Sequence, residues 1–154
     1  SAMSTHFPTK FSSPSDSPGF LLWQVTNLWQ RRIREALKEV NLTHVQFVLL
    51  ASLVRLAEEK SVISQTDLSR FAKTDIMMTS QVLRALQKKG LITRSPHPED
   101  SRAKCLSATT EGVEVVKVAV QLVEQEDDAF FATLEGDLAG FVTCLRSLVA
   151  SHSQ

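Results

Sequence analysis

The chain has 154 residues, 43% of them hydrophobic, and 17 basic side chains against 17 acidic ones, so it is one domain-sized unit able to bury a core, with no overall basic character to advertise nucleic acid. No stretch approaches the roughly 20 apolar residues of a membrane span, and the opening residues lack the apolar core of a secretory signal. His6, His44, His97 and His152 are scattered without a metal-protease spacing, a phosphate-cradling glycine loop or a nucleophile elbow, and Cys105 and Cys144 make no metal or disulfide framework; the expectation is no enzyme, no cofactor, no metal, no membrane, and a reducing cytoplasm.

In chain order, Ser1-Ala2 ahead of Met3 reads as a remnant of tag cleavage. Residues 1–18 form a tail rich in Ser and Pro, in which Phe7 and Phe11 are expected to lie against the body or across a partner subunit. A first helix over 20–40 carries Leu22, Val25, Trp29, Ile33, Leu37 and Val40 at spacings of three and four, with Arg31, Arg32, Arg34 and Lys38 filling much of the remainder. Thr43 and Gln46 make a capping pair for a second helix, 43 to about 59. Its middle, Phe47-Val48-Leu49-Leu50-Ala51, is apolar on nearly every face, as in a central buried helix. Lys60 to Ile63 follow as a connector with room for a brief strand.

The stretch Ser64 to Gly112 is the most informative. Ser64-Gln65-Thr66-Asp67 is a capping box opening a short helix with Leu68, Phe71 and Ala72 on one stripe. Lys73-Thr74-Asp75 then connects to a helix over 76–89, which Gly90 terminates in a left-handed conformation. Thr79, Val82, Leu83 and Leu86 recur at helical spacing and suit burial, while Met77, Ser80, Gln81, Arg84 and Lys88 lie on the other face. After Gly90 the period changes. Residues 91–94 and 104–107 read as two strands joined by the charged loop 95–102. A capped helix, a tight turn, a second helix and a basic hairpin suit a protein that lays one helix in a DNA groove with a loop beside it.

Beyond the hairpin, a long helix over 110–131 carries Val113, Val116, Val120 and Val123, with a second apolar line through Val115, Ala119 and Leu122. Glu124-Gln125-Glu126-Asp127-Asp128 reads as its solvated face. A last helix, about 135–150, offers Leu138, Phe141, Val142, Leu145, Leu148 and Val149. These two helices and the first hold more apolar surface than one small domain needs, which implies a dimer interface. Charge is segregated: residues 1–104 carry 15 Lys/Arg against 9 Asp/Glu, and residues 105–154 carry 2 against 8. The middle of the chain can therefore face phosphates while the C-terminal helices point away.

The run Met78 to Arg94 (MTSQVLRALQKKGLITR) resembles the recognition helix and first wing strand of the MarR family, the multiple-antibiotic-resistance type of winged-helix transcriptional regulators. Pro98-Glu99-Asp100-Ser101-Arg102 is similar to that family's acidic-x-arginine wing signature, Thr109-Thr110-Glu111-Gly112 to the start of its next helix, and Leu42 to Phe47 to its second helix. The similarity spans roughly residues 19–150; Ala108 stands where the family usually has leucine. The resemblance implies a mainly α fold with a small β-wing. A winged helix-turn-helix lobe (43–108) would join a helical dimerisation lobe made of helix 1 (19–42) and the C-terminal helices (109–154).

It also implies a sequence-specific transcriptional regulator: a homodimeric, ligand-responsive repressor on a pseudo-palindromic operator of double-stranded DNA, with half-sites about 34 Å apart. Ser80, Gln81 and Arg84 are expected to read bases in the major groove, and Met77 or Thr79 to touch a thymine methyl, although Thr79 suits the core equally. Lys88, Gln65 and Thr66 suit phosphates, the latter two at a helix N-terminus. Arg102 resembles the family's minor-groove arginine, Lys104 adds charge beside it, and Asp100 is expected to hold Arg94 or Arg102. A small aromatic effector is expected where the two lobes meet, with Trp23, Asn27, His44 and Phe47 as candidate lining. Against that role, Trp23 and Phe47 also suit core or interface packing, and His44 a solvated first turn. The alternatives are a protein-interaction module of the same fold without DNA binding, or a cysteine redox sensor. Cys105, on the second wing strand, and Cys144, on the apolar side of the last helix, are expected to pack.

Overall fold

The computed structural model describes residues 6–153; Ser1 and Ala2 lie outside them. Six helices and one hairpin follow in the expected order: α1 (Pro18–Leu37), α2 (His44–Leu56), α3 (Gln65–Ala72), α4 (Ile76–Lys88), β1 (Ile92–Pro96), β2 (Lys104–Ala108), α5 (Thr110–Phe131) and α6 (Leu138–His152). Both capping boxes form. Thr43 Oγ1 accepts from the Gln46 amide and Ser64 Oγ from the Asp67 amide, and in each case the second side chain accepts in return from the cap residue's amide. Gly90 takes its left-handed conformation at φ +76°. The α2 helix stops at Leu56, three residues short of expectation, in a turn closed by Lys60 N–H donating to Leu56 O at 2.9 Å.

The core sits around α2. Leu49, Leu50, Leu53 and Leu56 pack with Ile33 and Leu37 of α1, Leu68 of α3, Leu83 and Leu86 of α4, and Val116, Ala119 and Val123 of α5. Phe71, expected on the buried stripe of α3, is half exposed instead. The strands β1 and β2 pair antiparallel, Ile92 opposite Ala108 and Pro96 opposite Lys104. The connector contributes no full strand, but Ser64 bridges Cys105 and the Leu106 amide donates to Ile63 O at 2.8 Å. This single bridge anchors the hairpin to the start of α3.

The root of the hairpin is clamped to α5. Thr109 Oγ1 donates to Gly90 O at 2.8 Å and accepts from the Gly112 amide at 3.0 Å, while the Thr109 amide donates to Leu91 O at 3.0 Å. The backbones are so close that a Cβ on Gly112 would stand 2.1 Å from Leu91 O. Glycine is required there for want of space, not for its φ.

The helices α1 and α5 are tied by polar contacts the sequence did not advertise. Trp29 Nε1 donates to Asp127 Oδ1 at 2.8 Å, and Arg32 Nε pairs with Glu126 at 3.2 Å. Two members of the acidic run expected to be solvated thus serve as helix-to-helix links. Between α5 and α6 a 3-10 segment, Ala132–Asp137, turns the chain through Glu135 at φ 48°, ψ −120°. The last helix buries none of its residues; Leu138, Val142, Leu145, Leu148 and Val149 stay exposed, as do Phe20, Leu21, Leu22, Trp23, Val25 and Leu28 at the start of α1. Phe7 is also exposed, while Phe11 is partly covered beside the 3-10 turn Pro14–Asp16 that leads into α1.

Candidate nucleic-acid interface

The helix α4 is set by caps at both sides of the turn before it. Lys73 ends α3 in the left-handed region at φ 59°, a place usually given to glycine, and Asp75 caps α4 by accepting from the Met78 amide at 2.9 Å. A part-buried hydroxyl pair locks this geometry. Thr79 Oγ1 donates to Asp75 O and lies 2.7 Å from Thr74 Oγ1, and Ser69 Oγ donates to Thr74 O. Thr79 is therefore 0% exposed. It is withdrawn from the groove-facing set: its methyl and hydroxyl are spent inside the turn and cannot meet a base.

The other expected residues form one outward face. Met77 is 72% exposed, Gln81, Arg84 and Lys88 are exposed, and Ser80 is half-buried. Arg84 Nη1 donates to Ser80 Oγ at 3.3 Å, one turn away, which holds the guanidinium along the helix. The donors, acceptors and thioether of this face suit base edges in a major groove. Thr66 is exposed at the first turn of α3, whereas Gln65 Nε2 donates to Ile76 O at 3.3 Å and so braces α3 against α4. Thr66, Arg70, Lys73 and Ile76 line an open groove between these two helices.

At the hairpin tip, Asp100 holds Arg102 rather than Arg94. Its Oδ1 accepts from the Arg102 amide at 3.0 Å and lies 3.5 Å from Arg102 Nε. The Arg102 side chain is 92% exposed. Lys104 is exposed at the start of β2, while Arg94 Nε is buried and makes no hydrogen bond among the described residues. The electrostatics are thus local: cations on α4 and the hairpin, acidic groups on α5 and the turn after it.

The four candidate effector residues are not brought together within one chain. Trp23, 67% exposed, and Asn27 line a shallow groove with Phe20, Gln24 and Leu28, and Asn27 Nδ2 donates to Trp23 O at 2.9 Å. Trp23 is neither core nor covered here. Phe47 packs against the core. His44 is not the solvated residue expected: it is half-buried, edge-on to Trp29 with ring centroids 5.1 Å apart. Burial and the nearby Arg34 hold its pKa below the ordinary histidine value, against an opposing pull from Asp127. Sequence reasoning missed Trp29 and Asp127 as its neighbours, because their approach depends on how α1 packs on α2 and how α5 crosses α1. A separate apolar pocket of about 250 Å³ lies among Leu22, Val25, Trp29, Phe130, Phe141 and Leu145. Cys144 is exposed on α6, contrary to the packing role expected of it, and Cys105 is half-buried in β2.

A family model described as the MarR family matches residues 42–104. The chain is 51% identical over 124 residues, 80% of its own length and 84% of the relative's, to the HTH-type transcriptional regulator YdcH of Bacillus subtilis strain 168. A cysteine-to-serine mutant of Escherichia coli MarR, solved in complex with operator DNA, matches with a TM-score of 0.74 at 26% identity, over 85% of this chain and 91% of that one. BpsR of Bordetella bronchiseptica, whose DNA binding is regulated by 6-hydroxynicotinic acid, shares the fold at a TM-score of 0.81 and 23% identity, over 96% and 100% of the two chains.

Proposed function

The chain belongs to the MarR family of transcriptional regulators, and from that premise we propose that it is a homodimeric repressor that reads a pseudo-palindromic operator with α4 and the hairpin tip. The observation that carries this is the outward face of α4, where Met77, Ser80, Gln81, Arg84 and Lys88 stand free of the core while the exposed Arg102 projects from the hairpin. Ser80, Gln81 and Arg84 read base edges in the major groove, Met77 meets a thymine methyl, and Lys88 and Thr66 meet phosphates. Arg102 enters the neighbouring minor groove, where a narrow A/T-rich segment has enhanced negative potential.

Support for the dimer comes from the apolar residues left uncovered along the first half of α1 and along α6. A second copy that covers them brings two α4 helices to one side of the molecule, at a separation near one turn of the duplex, about 34 Å. A small aromatic effector acting at the junction of α1, α2 and α5 would favour one separation over another, which requires different affinities for the two states. Titrating aromatic carboxylates while following the emission of Trp23 and Trp29 tests that part.

The central test is binding to duplexes selected from random DNA by the purified protein. Wild type should bind with an affinity that falls steeply with salt, because each neutralised phosphate releases counterions. Arg84→Ala should lose roughly 1–3 kcal/mol of base discrimination, and Arg102→Ala should weaken binding with the melting temperature unchanged. Wild-type affinity in both variants would refute the groove assignment.

A further inference from the structure

The helix α4 ends in two adjacent lysines that point to different tasks. Lys88 stands with the exposed outward face. Lys89, exposed as well, reaches back along the protein surface instead: its Nζ donates to Asn41 O at 2.6 Å and to Gln46 Oε1 at 2.9 Å. That same Gln46 oxygen accepts from the Thr43 amide at 3.1 Å, so one side-chain amide holds both the N-terminus of α2 and the end of α4. Asn41 is the left-handed residue, φ 54°, at the elbow where α1 hands over to α2. The elbow is itself closed by the Asn41 amide donating to Lys38 O at 3.2 Å and the Leu42 amide to Leu37 O at 3.4 Å.

We propose that Lys89 is a positioning residue for operator recognition, fixing the direction of α4 relative to α1 and thereby the separation of the two recognition helices in the dimer, without touching DNA itself. This rests on the DNA-binding dimer proposed above. An ammonium group suits the task because it has three donors and no acceptor, and here it meets two neutral oxygens from sites 43 and 48 residues away in sequence. To reach a phosphate it would have to leave both oxygens. Its charge also lies at the C-terminal end of α4, where the helix dipole favours a cation. The lever is long: Ser80 is nine residues before Lys89, about 14 Å along the axis at 1.5 Å per residue, so slack at the clasp is felt as tilt at the reading end.

The experiment compares wild type, Lys89→Met, Lys89→Arg and Lys88→Met on the selected duplex at its native half-site spacing and with one base pair inserted, each over a range of salt. Lys89→Met should bind the native spacing roughly three- to tenfold more weakly, the loss expected from about 1 kcal/mol of hydrogen bonding. It should also tolerate the inserted base pair better than wild type does, with an unchanged slope of log K against log salt. Lys89→Arg, which keeps the donors, should restore the spacing discrimination. Lys88→Met should instead flatten the slope by about 1.8, two phosphates' worth at one per protomer. A flattened slope for Lys89→Met would make Lys89 a phosphate ligand, and unaltered spacing discrimination would remove its positioning role; either overturns the proposal. Wild type indifferent to every duplex at low salt would overturn the DNA-binding reading itself, and this role with it.

Discussion

Replacing Gly112 by alanine puts a methyl group 2.1 Å from the carbonyl oxygen of Leu91 and 3.1 Å from its carbonyl carbon. Neither atom belongs to a flexible side chain, so relief requires α5 to lift from the hairpin root by more than 1 Å, judged against an ordinary contact of about 3.5 Å. That displacement strains the Thr109 amide bond to Leu91 O and the Thr109 hydroxyl bond to Gly90 O. Overpacking costs about 1–3 kcal/mol, and two weakened hydrogen bonds add about 0.5–1.5 kcal/mol each. The expected destabilisation is therefore about 3 kcal/mol, or roughly 6–12 °C in melting temperature for a chain of this size. Urea unfolding followed by far-ultraviolet circular dichroism measures it, with protein concentration held fixed because association shifts apparent stability. Gly19→Ala, where nothing lies within 4 Å of the added Cβ, is the control and should stay within about 0.5 kcal/mol of wild type. A Gly112→Ala protein as stable as that control would refute the close-packed root.

Two further outcomes follow from the same geometry. His44 is depressed below its ordinary value, so the unfolded chain takes up a proton first; the stability linked to this group is complete above the unfolded value of about 6.5 and is lost as pH falls through the folded pKa. Between pH 7.5 and 5.5 wild type should therefore lose more stability than His44→Gln, and parallel losses on thermal melting would sink the assignment; the depressed Asp67 acts only below its ordinary 3.8, outside that window. Introducing charge on the uncovered face of the last helix, with Val142→Glu and Leu148→Glu together, should convert the proposed dimer to folded monomers by sedimentation velocity and abolish high-affinity operator binding, whereas an unchanged dimer would place the interface elsewhere.

Local signals were the legible ones. Ser64 with Asp67, Thr43 with Gln46, and Gly90 each act within a few residues, and each performs its expected capping role. The outward set on α4 was readable from helical spacing, but Thr79 was not resolved, since a threonine's burial depends on whether the turn supplies partners for its hydroxyl. Here Asp75 O and Thr74 Oγ1 do so. Lys73 gave no warning of its left-handed backbone; the tertiary docking of α3 on α4 overrides its preference. Glu126 and Asp127 looked solvated because an acidic run normally is, and only the crossing of α5 over α1 supplies Arg32 and the Trp29 indole as partners. The demand for glycine at position 112 likewise comes from a chain segment 21 residues earlier.

The clamp joining Gly90, Thr109 and Gly112 gives the hairpin a fixed fulcrum. With about 3.3 Å per residue, the five residues of β1 project the tip some 16 Å from it. A rotation of about 10° at that fulcrum sweeps Arg102 through roughly 3 Å, half the width of a minor groove of about 6 Å. In the proposed complex, whatever tilts α5 therefore steers the hairpin as an oar turns in its lock, withdrawing the Arg102 guanidinium from the minor groove while the pairing of β1 with β2 stays intact.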